Sequence, residues 1–397
     1  APIPIEPTLA SLQSRVVTLE TTGVTATTPN TSDLSTADTK LIFPNKLFVV
    51  EGRPFQLYLS SMLPDRNKTV ASRVAAFQSI NNAKLPYNIL FTNTLEVNPD
   101  RLGSTATLTL RNAGLADREM QLPLTVYKSA ANKSKAVSYL HLGDSLVAQS
   151  TTPLFEKFSS GSVTPTSLGT RLNGTVYSEG RGGWKGADFV YIQTTNNHAP
   201  LPTGSEATAL SLGNDTRNPF IRVATGSDAA EDIKNGYIFD FRFYLNRFSF
   251  ADPDVVVLNF MTNDINNDGT NIGVANALEA YRIIIASIRS ACPNAKIGIA
   301  MPMNGNNSYF NPLWYDGYVK TFLKLCELYG NQQNNNIYVI GAHAYLTDQF
   351  IYPMNTVSTD SQTGLIEQSL NDGTHPINPI GRHLFAEPLY QFIHAIC

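Results

Sequence analysis

A serine, an asparagine, an aspartate and a histidine stand in short contexts that suit acyl transfer. Ser145 lies in "HLGDSL" at 141–146, Asn263 in "MTND" at 261–264, and Asp372 and His375 in "DGTH" at 372–375. A serine hydroxyl is a poor nucleophile until a base takes its proton. His375 is the residue type for that task. Asp372, just before it, can fold back on a tight turn and accept the proton of the second imidazole nitrogen. Attack on an ester builds negative charge on the former carbonyl oxygen, which requires donors aimed at it. The Asn263 amide and the backbone N–H of Ser145, at a helix start, are natural ones. "EGRGGWKGADF" at 179–189 offers a third. Gly182 and Gly183 open what reads as a helix, and a bare glycine N–H can approach a ligand closely. The spacing is not that of a dinucleotide or Walker loop, so phosphate binding is the weaker reading.

The elements around these residues must bring them together. "AVSYLHL" (136–142), "DVVVLNF" (254–260), "KIGIAM" (296–301) and "IYVIGA" (337–342) are short apolar runs. Such runs suit strands covered on both faces of a parallel sheet. Helical periodicity follows at 273–292 and 315–330, and a closing helix at the C-terminus. Strand alternating with helix predicts a three-layer α/β/α fold over 133–397. In such open sheets ligands bind beyond the carboxyl ends of the strands. Ser145 and Asn263 each follow such an end. Residues 195–250, rich in Asn, Gly and aromatics, break the alternation and read as an insertion walling the crevice.

Upstream the period changes to two. "KLFVVEG", "FQLYLSS", "YNILFTN", "ATLTLRN" and "MQLPLTVY" alternate apolar with polar residues between Gly, Pro and Asn turns. This predicts a smaller all-β, sandwich-like antiparallel domain over 40–132, with a boundary in the polar "KSAANKSK". Before it, Leu9, Leu12, Val16 and Leu19 step by three and four, a heptad seam too short to specify a coiled coil. The Thr-rich 21–39 reads as a linker or stalk. Residues 1–39 are therefore expected to form an N-terminal helix and stalk, and a homotrimer through this segment is one expectation.

Composition narrows the classes. Of 397 residues, 42% are hydrophobic and 15% charged, with net charge −3, which suits large buried cores and not a nucleic-acid binder. No apolar run of membrane-spanning length occurs, and "APIPIEPTLA" lacks the parts of a signal peptide. Cys292, Cys326 and Cys397 are too widely spaced for a disulfide framework or a zinc site, so no metal and no cofactor are expected.

Each short motif alone has a bland reading as a capped turn or surface loop. Together and in order, "GDSL" (143–146), "GRGGW" (180–184), "TND" (262–264) and "DGTH" (372–375) resemble the conserved blocks of the SGNH, or GDSL, hydrolase family. The resemblance covers roughly 136–397. It implies Ser145 as nucleophile, His375 as base and Asp372 as its partner. The implied oxyanion hole is the Ser145 N–H, Gly183 (with Gly182 as the alternative) and Asn263. The sequence departs from the family at Met261, where a glycine is usual. Two further residues are expected at the substrate: Trp184, by stacking on a sugar, and His343, at a strand end. His141 reads as a core histidine, His198, His383 and His394 as structural or surface residues, and Asp144 and Asp264 as shapers of local turns.

The reading is a serine esterase acting on small acyl, above all O-acetyl, esters of carbohydrate or polysaccharide. Two alternatives stand beside it: a virus tail-spike or fibre component that deacetylates a bacterial surface polysaccharide, and an inactive glycan-binding module. An extracellular, cell-surface or virion-associated location is expected over a cytoplasmic one.

Overall fold

The computed structural model describes residues 41–64, 73–79, 94–112, 115–159, 161–193, 198–302, 313–346 and 351–397. The heptad-like helix, the Thr-rich stalk and the strand expected at "YNILFTN" lie outside the described residues.

The first elements are strands: β1 (Lys46–Val50), β2 (Phe55–Tyr58), β3 (Arg73–Ser79), β4 (Thr94–Val97), β5 (Thr105–Asn112) and β6 (Leu115–Ser129). They form a four-stranded sheet in the order β1-β6-β5-β3 and a separate β2–β4 ribbon. Alternation places Leu47, Val49, Leu108, Leu124 and Val126 on one face of the sheet, where they bury against Phe55 and Leu57 of β2 and Leu95 and Val97 of β4. The β1–β6 pair is parallel, whereas the alternation had suggested an antiparallel domain throughout. A two-residue period is the same in either direction, so it cannot report the sense of pairing.

The second layer system begins at β7 (Lys135–Gly143), followed by α1 (Ser145–Ser159), β8 (Val163–Leu168), β9 (Arg171–Asn173), β10 (Val176–Gly180) and the single turn α2 (Gly186–Phe189). Next come α3 (Glu206–Leu212), the β11 (Ile221–Val223) and β12 (Tyr237–Phe239) hairpin, and α4 (Phe241–Arg247). Then follow β13 (Val255–Asn259), α5 (Thr262–Ala291), β14 (Lys296–Ala300), α6 (Lys320–Tyr329) and β15 (Ile337–Ile340). The chain ends with the β16 (Met354–Thr359) and β17 (Ile366–Leu370) hairpin and α7 (Ile380–Ile396).

The central sheet runs β15-β14-β13-β7, and β7 then pairs with β8 along its first part and with β10 at its end. All of these pairs are parallel, and only β9 is antiparallel, to β10. Side chains alternate between two cores. Leu140, Leu142, Val256, Leu258, Ile297 and Ile299 pack against Ile284 and Ile288 of α5 and Phe322 of α6. Val137, Tyr139, Val255 and Val257 pack on the other face against Leu154 and Phe158 of α1 and Leu389 and Phe392 of α7. This is the expected three-layer α/β/α arrangement. Phe48 and Val50 of β1 join the second core, so the upstream sheet is fastened to α7.

In the order of the parallel strands β8-β7-β13-β14-β15, connections run to opposite sides of β7 and β13. The crevice at the carboxyl ends of β7 and β13 is therefore the topological switch point, where open α/β sheets bind ligands. No helix of the described residues is long and apolar enough to cross a membrane.

Candidate active site

Ser145 is the first residue of α1, directly beyond β7. Two features set its position. Gly143 ends β7 so close to β13 that a Cβ there would lie 1.8 Å from the Asn259 carbonyl oxygen. Asp144 then caps the helix: its Oδ1 accepts from the Leu146 N–H at 2.9 Å, and its carbonyl accepts from Ala148 N at 3.2 Å. The Ser145 N–H stands at the positive end of a helix of 15 residues, where a developing anion is favoured.

His375 reaches this hydroxyl from the loop before α7. Its Nε2 is 2.8 Å from Ser145 Oγ, and its Nδ1 is 2.7 Å from Asp372 Oδ2. A carboxylate only accepts, so the imidazole proton belongs on Nδ1, and the Nε2 lone pair faces the serine O–H. Asp372 is itself held by the tight turn expected from "DGTH": Oδ1 accepts from Thr374 N at 2.8 Å and His375 N at 3.1 Å. Burial alone would raise the Asp372 carboxyl. The Thr374 N–H and the His375 ring and N–H outweigh it and hold the group below the usual carboxylate range. Asp372 is thus kept ionised as the orienting partner of His375. The side chains of His375 and Asp372 are 32% and 40% exposed, so the pair is open to solvent.

Asn263 sits in the first turn of α5, beyond β13. Its Nδ2 donates to the Trp184 carbonyl at 2.9 Å, which fixes the amide and leaves its second N–H for a ligand. Before it, Met261 has φ +101°, in the left-handed region that favours glycine. The position where the resembled family usually has glycine thus has a backbone conformation that glycine would adopt without strain, and the buried Met261 side chain is packed into the core instead.

Gly182 and Gly183 do not open a helix, contrary to the sequence expectation, since α2 begins only at Gly186. They form the corner of a turn in which Trp184 N donates to Arg181 O at 3.1 Å and Gly183 takes φ +78°. That is the type II geometry, which requires a left-handed third residue and turns the central peptide out of the turn plane. A Cβ built at Gly182 or Gly183 would meet nothing within 4 Å, so both face open space. Asp264 anchors the segment after the turn, its carboxylate accepting from Gly186 N at 2.8 Å and Ala187 N at 3.2 Å. Burial pushes the carboxyls of both Asp144 and Asp264 up to about 7. As expected, these two residues shape turns next to Ser145 and Asn263.

Two expected substrate contacts are corrected. The Trp184 ring is buried, packed on Phe189 at 4.9 Å and His198 at 4.3 Å, and has no free face for a sugar. Its carbonyl instead positions Asn263. His343 does not line the crevice: it is buried, with Nε2 2.6 Å from the Ile42 carbonyl and its ring edge-on to Phe322. His141 is the expected core histidine, and burial lowers its pKa to about 3, so it stays neutral. Most aromatics of 195–250 are core as well, with Phe220, Phe239, Phe241 and Tyr244 buried.

One group beside the site lies outside the site residues expected from the sequence, the buried pair Glu179 and Arg181 that flanks the glycine turn. The signal was present in "VYSEGRGGW", where two charges close a strand that must enter the core.

The chain matches no protein-family model and no curated protein. Among solved structures it is similar to a family 3 carbohydrate esterase from Clostridium thermocellum, at 15% identity and a TM-score of 0.36, over 66% of this chain and 98% of that one. It is similar to a GDSL-like lipase from Parabacteroides merdae at 15% identity and a TM-score of 0.32, over 67% of this chain and 99% of that one. A family two carbohydrate esterase from Clostridium thermocellum, in complex with cellohexaose, matches at 15% identity and a TM-score of 0.32, over 86% of this chain and 90% of that one. The chain thus has a parallel sheet between two helical layers, with "GDSL", "GRGGW" and "TND", the segments that resemble SGNH, or GDSL, hydrolase blocks, at adjoining strand ends and "DGTH" just before the last helix.

Proposed function

We propose that the protein is a serine esterase that removes small acyl groups, O-acetyl above all, from carbohydrate. One observation carries the reading: the continuous relay from Ser145 Oγ to His375 Nε2 at 2.8 Å and from His375 Nδ1 to Asp372 Oδ2 at 2.7 Å. His375 takes the proton as Ser145 Oγ bonds to the ester carbonyl carbon. The electron pair displaced onto the carbonyl oxygen is met by the Ser145 and Gly183 N–H groups and the Asn263 amide. The imidazolium, steadied by Asp372, returns its proton to the leaving sugar oxygen as the C–O bond breaks. Water, deprotonated by the same imidazole, then releases the acid and restores Ser145. The rim supports the small acyl group and the polar substrate. Gly182 and Gly183 face open space, and Asn266 and Asn267, one turn beyond Asn263 on α5, are exposed.

A second reading, a preference for longer acyl chains, is favoured by the β16–β17 hairpin. It runs directly into the Asp372 loop and exposes Met354, Val357, Leu365 and Ile366. One experiment separates the two. Ser145→Ala is expected to abolish turnover of p-nitrophenyl acetate in a folded protein and to abolish labelling by a serine-directed phosphonate. With the parent, kcat/KM is expected to fall in graded steps from acetyl to butyryl to octanoyl esters, since each methylene changes pocket binding by only ~1–3 kcal/mol. Turnover retained by Ser145→Ala would remove the nucleophile. An optimum at octanoyl or longer would replace the acetylesterase by the second reading.

A further inference from the structure

We infer that Arg181 and Glu179 are positioning residues that hold the Gly182–Gly183 turn as an oxyanion donor and tie it to the segment 215–247; the inference rests on the serine-esterase reading. Arg181 is bound on every side. Its Nε and Nη2 donate to Glu179 Oε2 at 2.9 and 2.7 Å, and Nη2 also donates to Thr170 Oγ1 at 3.1 Å. Its Nη1 donates to the carbonyls of Arg217 and Asp215 at 2.9 and 3.2 Å. The other Glu179 oxygen accepts from Thr170 N, Thr170 Oγ1 and Tyr244 OH, each at 2.8 Å. The two side chains are 2% and 0% exposed.

A buried ion pair is a poor source of stability, because desolvation offsets most of the attraction. An apolar pair of equal volume would fill the same space, but it would not fix a backbone. Here the backbone of Arg181 is the part that matters. Its N–H donates to the Gly143 carbonyl at 2.8 Å, at the end of β7 just before Ser145. Its carbonyl closes the glycine turn by accepting from Trp184 N. Its guanidinium lies 4.7 Å over the Trp184 ring, and the Trp184 carbonyl in turn receives the Asn263 amide. The buried guanidinium therefore holds from behind the backbone that sets the turn against the other two proposed oxyanion donors. The glycines themselves carry no side chain to do so.

The test compares the parent with Arg181→Met, Arg181→Lys and Tyr244→Phe. Each is assayed for kcat and KM on p-nitrophenyl acetate, the pH midpoint of activity, and hydrogen exchange of peptides over 181–187 and 146–152. Arg181→Met is expected to lower kcat on the order of 10²-fold, as loss of an oxyanion donor does, with KM changed less than about threefold. The pH midpoint should stay, because His375 and Asp372 stand on another loop. Exchange should rise in 181–187 and not in 146–152. Lysine keeps the charge but not the fork, so Arg181→Lys should fall short of the parent. Tyr244→Phe, which removes one hydroxyl, should shift the same readouts less, and it carries the test if Arg181→Met does not fold. A folded Arg181→Met with kcat within about threefold of the parent would overturn the inference. So would loss of protection spread equally over both peptides. A parent with no ester turnover and no Ser145 labelling would sink the esterase reading instead, while the exchange data would still decide whether Arg181 holds the turn.

Discussion

At the scale of single residues, neighbours in one motif have different tasks. Asn263 points its amide at the glycine turn, whereas Asp264 points inward and accepts from Gly186 and Ala187. Asn263→Ala is expected to lower kcat about 10²–10³-fold with little change in KM. Asp264→Ala should act through stability, since it strands two buried N–H groups at ~1–3 kcal/mol each. Steady-state kinetics and urea unfolding of both variants check this, and the reverse ranking would mean that the motif has been assigned the wrong way round. Met261 offers a second contrast. Glycine would relieve a left-handed backbone that costs ~1–2 kcal/mol, but removing a fully buried methionine side chain costs about 2–5 kcal/mol. Met261→Gly is therefore expected to be less stable by up to about 4 kcal/mol, although glycine suits the backbone there. A stabilised variant in urea melts would show that strain outweighs packing there.

At the scale of elements, α7 joins the two sheet systems through one carboxylate. Glu387 accepts from Arg53, next to β2, at 2.7 Å and from Lys157 of α1 at 2.6 Å. Burial alone would raise its pKa, but the two cations outweigh burial and hold it down at about 2. A depressed folded pKa contributes stability that is present above the unfolded value and lost as pH falls through the folded one. Glu387→Gln is thus expected to cost up to about 3 kcal/mol at pH 7, with the gap to the parent closing from about pH 4.5 towards pH 2. Urea unfolding at pH 7, 5 and 3.5 measures that closure. A gap independent of pH would mean that Glu387 acts by packing alone.

At the scale of the whole molecule, the strand order brings the ends of β7 and β13 side by side at the switch point, and the last loop delivers His375 to that crevice. No local feature specifies this meeting, because Ser145 and His375 are far apart in the chain. The N-terminal stripe of Leu9, Leu12, Val16 and Leu19 remains the feature expected to govern assembly. Light scattering of the full chain should give a multiple, a trimer on the stalk reading, of the mass found for a chain starting near residue 40. Equal monomeric masses would remove that reading and, with it, much of the tail-spike alternative.

The sequence by itself determined the parallel strands and the three candidate residues, Ser145, Asp372 and His375, that the fold brings into hydrogen-bond contact. A strand buried on both faces must be apolar throughout, which is why 136–142, 254–260, 296–301 and 337–342 were legible. β8 was not, because as an edge strand it mixes Thr, Pro and Ser with few buried positions. Ser145, Asp372 and His375 were legible as candidates because the proposed chemistry admits few substitutes. Only the tertiary structure decided that Trp184 and His343 are buried, that β1 runs parallel to β6, and that Gly183 turns a corner instead of starting a helix. It alone revealed Arg181 and Glu179 as a buried pair behind that corner. Side-chain type and spacing state what a residue can do. Whether its face is turned to solvent or to the core depends on partners remote in the chain, such as Ile42 for His343 and Tyr244 for Glu179.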